Sequence, residues 1–158
     1  MKLINNQLLE DVVSQARLSS RKRKNYNFHE RLDANVQRML NAIEPGTYVH
    51  PHKHENPDKV EAFLILKGKA LVVEFDNFGK ITSYCIVSPA DGVYGSEIAP
   101  RTWHCIISLE QGTVVYEVKD GPYSPINDKD FAEWAPKEGD AGCDKYIQSI
   151  LQRCEIVQ

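Results

Sequence analysis

The sequence predicts a mainly β protein: a jelly-roll, double-stranded β-barrel with a helix before it and an extended arm after it. Three observations carry this reading. From about Asn25 to Lys119 the apolar residues fall in runs of strand length, turn residues separate those runs at regular spacing, and helical periodicity precedes them only at the amino end. Roughly eight short strands in under about 100 residues suit an antiparallel sandwich or small barrel, of which the jelly roll is the eight-stranded form.

Leu8, Leu9, Val12, Val13 and Ala16 recur at helical spacing within residues 3–18, which predicts an amphipathic helix. The basic run Arg21–Lys24 behind it reads as a solvated loop. Strands are predicted over 36–43, 47–54, 60–67, 69–76, 80–88, 93–98, 102–109 and 113–119, the first of which also fits a helical pattern. Pro45-Gly46, Pro57-Asp58, Gly68, Asn77-Phe78-Gly79, Gly92, Pro100 and Gln111-Gly112 supply the breaks. The last forty residues are richer in Pro, Gly and Asp, and within them Cys143, Ile147, Ile150 and Leu151 predict a helix around 143–153. The expected organisation is therefore a helix and basic loop over 1–24, a barrel over 25–120 and a packed carboxyl-terminal extension over 121–158.

A chain of 158 residues and 18.0 kDa is one ordinary domain. At this size folding buries roughly 68–70% of the surface the unfolded chain exposes, so a core forms without disulfide staples. Hydrophobic residues at 42% with 26% charged are those of a globular protein. Nineteen Lys+Arg against 22 Asp+Glu leave no basic excess for a phosphate backbone, which argues against nucleic acid as the partner. With no run approaching about 20 apolar residues and no signal-like amino terminus, the expected location is the cytoplasm, away from membranes. Cys85, Cys105, Cys143 and Cys154 lack metal-knuckle spacing, and Cys85 and Cys105, inside apolar runs, read as small core residues.

The chemistry is concentrated in histidine. In a strand, residues 48, 50, 52 and 54 share a face, which aligns Tyr48 with His50, His52 and His54. Neutral imidazole suits Zn, Cu, Fe and Ni, and a nearby carboxylate widens the choice to Mn. Glu61 supplies one at the start of the next strand, where a hairpin would return it opposite His52 and His54. His104 lies in the apolar strand Trp103-His104-Cys105-Ile106-Ile107, where its ring nitrogens need partners and a metal is one of them. His29 reads as an ordinary satisfied histidine.

Gly46-x5-His52-x-His54-x6-Glu61-x6-Gly68 resembles the first cupin motif, with a longer spacer before the glutamate than is usual. Gly95…Pro100…His104 resembles the second, with Arg101 where a glycine is common and Ser108 where an asparagine is common. The blocks Gln37–Tyr48, Trp103-His104, Glu117–Tyr123 and Lys129–Pro136 together resemble the WbuC family of cupin-fold metalloproteins. That resemblance implies a divalent ion (Fe, Mn, Zn or Ni) held by His52, His54, Glu61 and His104, with positions left open for a substrate. His50 would then be cavity wall or the separate base.

Strand parity extends the picture. If Glu61 and His104 face inward, so do Phe63, Ile65, Ile106 and Ser108, which predicts a mostly apolar lining. Arg38, Arg101, Lys119 and Tyr123 are candidates to bind an anionic group, and Gly121-Pro122-Tyr123 with Phe131 and Trp134 to pin the arm. The resemblance implies a metal-dependent isomerase, epimerase or lyase acting on a small sugar or nucleotide-sugar in surface polysaccharide biosynthesis, with His50 or Tyr48 as base. An iron-dependent dioxygenase and a non-catalytic ligand-binding module are the alternatives. A homodimer, through the amino-terminal helix or an edge strand, is the family-level expectation.

Overall fold

The computed structural model describes residues 1–124 and 128–156; residues 125–127 and 157–158 of the predicted carboxyl-terminal extension lie outside the described residues. The helix α1 spans Asn6–Leu18, and the strands are β1 (Arg23–Asn27), β2 (Val36–Ile43), β3 (His52–Lys53), β4 (Glu61–Lys67), β5 (Ala70–Phe75), β6 (Ile81–Val87), β7 (Gly95–Ile98), β8 (Trp103–Ser108), β9 (Thr113–Asp120) and β10 (Asp130–Phe131). Helix α2 spans Cys143–Arg153. The strands form two antiparallel sheets, in the orders β1-β2-β9-β4-β7 and β10-β3-β8-β5-β6.

Each sheet is covered on its outer face by one helix. Helix α1 starts where the Asn5 side chain accepts the Leu8 N–H at 3.0 Å, and its Leu9, Val12, Val13 and Ala16 pack on Leu40, Ala42 and Val114 of the first sheet. Helix α2 sets Cys143, Ile147, Ile150 and Leu151 against Leu71, Val73, Phe75, Cys105 and Ile107 of the second. Between the sheets Ile65, Val72, Ile98, Ile106 and Val115 fill one end, leaving the other open. Full burial of an aliphatic or aromatic side chain contributes roughly 1.5–3 kcal/mol, so these three clusters hold the layers in register.

The carboxyl-terminal segment crosses the second sheet before reaching α2. Trp134 packs on Phe75 and Trp103 with ring centroids 5.2 and 6.1 Å away, and a Cβ on Gly79 would sit 2.6 Å from its ring. Gly79 also has φ +79°, so both its backbone and its neighbour require glycine.

The structure corrects several expectations. The two sheets do not close into a barrel; Ser88 and Val93 form an isolated bridge in the turn between β6 and β7. Of the strand predicted over 47–54 only His52–Lys53 is strand, because residues 47–51 carry the chain from the first sheet to the second and Pro51 has no N–H to donate. For the same reason β3 and β4 are no hairpin: Glu61 faces the histidines across the sandwich. The basic run is partly strand, since β1 pairs with β2 from Arg23↔Ile43 to Asn27↔Met39. Cys85 is exposed on the edge strand β6, while Cys105 is buried as expected. Among the described residues no helix is long and apolar enough to cross a membrane.

Candidate metal centre

His52 and His104 face each other as cross-strand neighbours on β3 and β8, with ring centroids 4.5 Å apart. His54, two residues beyond, shares their face, and Glu61 approaches from the first residue of β4 in the opposite sheet. Its Oε2 lies 3.2 Å from His54 Nε2 and 2.9 Å from His104 Nε2. All four side chains are buried, and one donor atom from each lies within 4.8 Å of the others.

The backbone sets the tautomers. Nδ1–H of His52 donates to the His50 carbonyl at 2.9 Å, that of His54 to the Asp128 carbonyl at 2.6 Å and that of His104 to the Thr102 carbonyl at 2.9 Å. In the neutral rings this leaves three Nε2 lone pairs converging on a carboxylate, acceptors facing an acceptor. His52 Nε2 is buried without any hydrogen-bond partner. Burial, reinforced by Lys129 and His104, pushes its imidazole well below the usual basicity and keeps that lone pair free. Burial alone would raise the Glu61 carboxyl; positive charge on the side of His104 and His54, as a proton on those rings or a cation in its place, lowers it and holds the group ionised. A divalent cation satisfies every one of these atoms. The His₃Glu set fits such an ion with modest closure, since ligands opposite one another on a metal at about 2.1 Å are about 4.2 Å apart.

The centre opens into a cavity of about 680 Å³ between the sheets. Phe63 and Ile106 line it as parity predicts, whereas Ile65 lies in the buried cluster between the sheets and Ser108 bonds the Glu110 carbonyl. Met39, Ile43, Val49, Val115 and Phe131 add to that lining, which is more apolar than polar as expected, while β1, β2 and β9 contribute the polar groups Asn25, Asn27, Asn41, Glu117 and Lys119. Glu117, beside Glu61 and bonded by the Asn41 amide, is pushed up to about 8 by burial and by the neighbouring carboxylate.

The other predicted site residues separate. Tyr48 does not share the histidine face: it packs in the cluster under α2, and its hydroxyl donates to the Pro136 carbonyl at 2.6 Å. His50 is half-buried between Tyr48 and Phe131, with Nε2 donating to the Ala132 carbonyl at 2.9 Å. Arg38 is exposed away from the cavity, and Arg101 pairs with Asp58 at 2.8 Å on the surface. Lys119 and Tyr123 do line the cavity, with the Lys119 ammonium 5.8 Å over the Tyr123 ring. His29 is satisfied as expected, its Nδ1 accepting the Arg38 N–H at 3.0 Å.

Sequence reasoning missed Asp128. Its carboxylate joins buried Lys59 at 2.7 Å and buried Lys119 at 2.6 Å while its carbonyl orients His54. Lys59 sits in the long spacer before Glu61, so the extra residues there anchor the loop. Lys129 and Glu117 were also missed, and they enter the cavity only through the pairing of β10 and β9.

Residues 4–87 of the chain match the family described as a domain of unknown function (DUF6016). The chain belongs to that family. The DUF6016 match runs from before α1 to the end of β6 and so holds His52, His54 and Glu61, while His104 lies beyond it. No curated protein sequence matches. Among solved structures the DUF6016 chain is similar to KdgF from a Halomonas species, at 16% identity over 66% of this chain and 82% of that one, with a TM-score of 0.50. TT1209 from Thermus thermophilus aligns at 16% identity over 76% of this chain and 97% of that one, with a TM-score of 0.53. CapF from Staphylococcus aureus, described as a capsular polysaccharide assembling protein, aligns at 25% identity over 69% of this chain, with a TM-score of 0.56. The chain spans only 29% of CapF's length. The fold is that of the cupin superfamily.

Proposed function

We propose that the protein is a metal-dependent enzyme of the isomerase, epimerase or lyase type, acting on a small sugar-derived metabolite. The observation that carries this reading is the buried His52 Nε2, unpartnered among three Nδ1-anchored histidines and Glu61 at the floor of a cavity of about 680 Å³. The WbuC-like blocks and the likeness to CapF, a capsular polysaccharide assembling protein, support a sugar substrate in surface polysaccharide synthesis.

Each part of the chain has a task in such a reaction. A divalent ion (Fe, Mn, Zn or Ni) bound by His52, His54, Glu61 and His104 would supply Lewis acidity toward a substrate oxygen. Glu117, on the cavity wall next to Glu61, is placed to give or take a proton and replaces Tyr48 and His50 as the acid–base candidate, since neither of those lines the cavity and the Tyr48 hydroxyl and His50 Nε2 each meet a backbone carbonyl. A dication beside Glu61 offsets the repulsion that raises Glu117 and so brings its proton nearer to exchange at neutral pH. Phe63 and Ile106 exclude water from the inner end.

Metal analysis of untagged protein purified without chelators tests the reading. About one divalent ion per chain is expected in the parent and a large loss in His104→Ala; equal content in the two would sink the ligand assignment. Stabilisation by sugars or sugar acids in a thermal-shift screen, without oxygen uptake, is the expected sequel, and oxygen consumption would instead favour dioxygenase chemistry.

A further inference from the structure

The cations lining the cavity differ in whether a carboxylate already holds them. Arg21 and Arg23 both pair with Glu138, at 2.7 and 2.6 Å, and Lys119 pairs with Asp128 at 2.6 Å. Lys24 is exposed at the rim. Lys129 alone combines a position in the interior of the wall with the lack of any ion pair or hydrogen bond to its ammonium among the described residues.

Its place follows from strand register. Phe131 of β10 pairs with His52 of β3, and both line the cavity. Side chains two apart in a strand share a face, so Lys129 lies on that same face, in line with His54. Its charge there is felt by His52, Glu61 and Glu117.

The carboxylates near it leave that charge uncompensated. Asp128 is shared by Lys59 and Lys119, which already outnumber it, and Glu61 faces an ion of charge two once the centre is loaded. A loaded cavity floor therefore carries net positive charge whether or not Glu117 keeps its proton. A half-buried cation facing this cavity favours an anion, and no side chain among the described residues makes an ion pair with it.

We propose that the Lys129 ammonium binds the carboxylate of the substrate held at the metal centre, which makes the substrate class a small hydroxy acid or oxo acid, such as a sugar acid, rather than a neutral sugar. This rests on the metal-dependent reading above. An ammonium is a compact point donor suited to one carboxylate oxygen, and it leaves the acid's neighbouring oxygen for the metal.

The test uses the full chain loaded with cobalt(II), titrated with oxalate, inorganic phosphate and imidazole while the visible absorption of the ion is followed. Oxalate should bind the parent more tightly than phosphate does. Lys129→Met should weaken oxalate by about tenfold or more and leave imidazole, a neutral metal ligand, within about twofold; Lys129→Arg should keep most of the oxalate affinity. Equal oxalate affinity in parent and Lys129→Met would overturn the lysine's role and leave the metal centre standing. A parent that takes up no cobalt would overturn both, and one that prefers phosphate to oxalate would overturn the carboxylate. A second measurement needs no variant: lysine acetylation of the cobalt-loaded parent, mapped by mass spectrometry, should be blocked by oxalate at Lys129 and not at Lys24. Equal labelling of Lys129 with and without oxalate would count as refutation.

Discussion

Asp128 connects more of the site than any other single residue. Its carboxylate holds Lys59 and Lys119, all three side chains nearly inaccessible, and its carbonyl fixes the His54 ring. Asp128→Asn leaves two buried ammonium groups with a neutral partner, and a loss of about 3–5 kcal/mol in urea unfolding is expected. Burial would raise this carboxyl, but Lys119 and Lys59 together hold it below the usual carboxylate value. Its stabilisation is therefore complete above the unfolded value of about 3.9 and is lost as pH falls through the lower folded value. Acid titrations of parent and Asp128→Asn should accordingly differ by a constant amount above about pH 4 and draw together only as pH falls below it, toward the lower folded value. In the sequence this residue has no signature, being one acid among many in a stretch rich in turn formers. The four metal-ligand candidates were readable because alternate histidines, a following glutamate and a histidine in an apolar run are each unusual.

At the scale of elements, the chain compensates where it departs from the expected motif. Arg101 stands where a glycine is common, and its φ of +64° is the left-handed conformation that glycine favours. The turn forms regardless, with the Arg101 N–H on the His54 carbonyl at 3.0 Å and the guanidinium on Asp58. Arg101→Gly should relieve the backbone while removing a surface ion pair, so little change in Tm and unchanged metal stoichiometry are expected. Helix α2 carries more of the stability: Ile150→Ala opens a cavity against the second sheet and should cost about 2–4 kcal/mol, read as a lower denaturant midpoint at unchanged slope. This helix was legible from its apolar spacing. Strand β1 was not, because RKNYN at the edge of a sheet is largely exposed and lends the cavity only polar side chains, and so shows no hydrophobic alternation.

For the whole molecule, metal binding and folding are coupled, since the converging Nε2 atoms exist as a site only when both sheets are in place. An ion at about 100 times its dissociation constant stabilises by about 2.7 kcal/mol, which for a chain of 158 residues is a rise of about 5–10 °C in Tm. The parent should show that rise, a chelator should abolish it, and His104→Ala should show none under the same conditions. A shift of equal size in His104→Ala would mean that the stabilising ion sits elsewhere.

Local sequence determined the strands with a hydrophobic face, both helices and the four residues that could hold a metal, because periodicity and residue chemistry are properties of short segments. Which side chains share the cavity was decided by tertiary structure alone. Glu61 meets the histidines across two sheets, Lys129 enters through the register of a two-residue strand, and Tyr48 leaves for the far side of the second sheet. Each of these depends on pairing between segments distant in sequence, and a strand's own alternation cannot say which partner it will face.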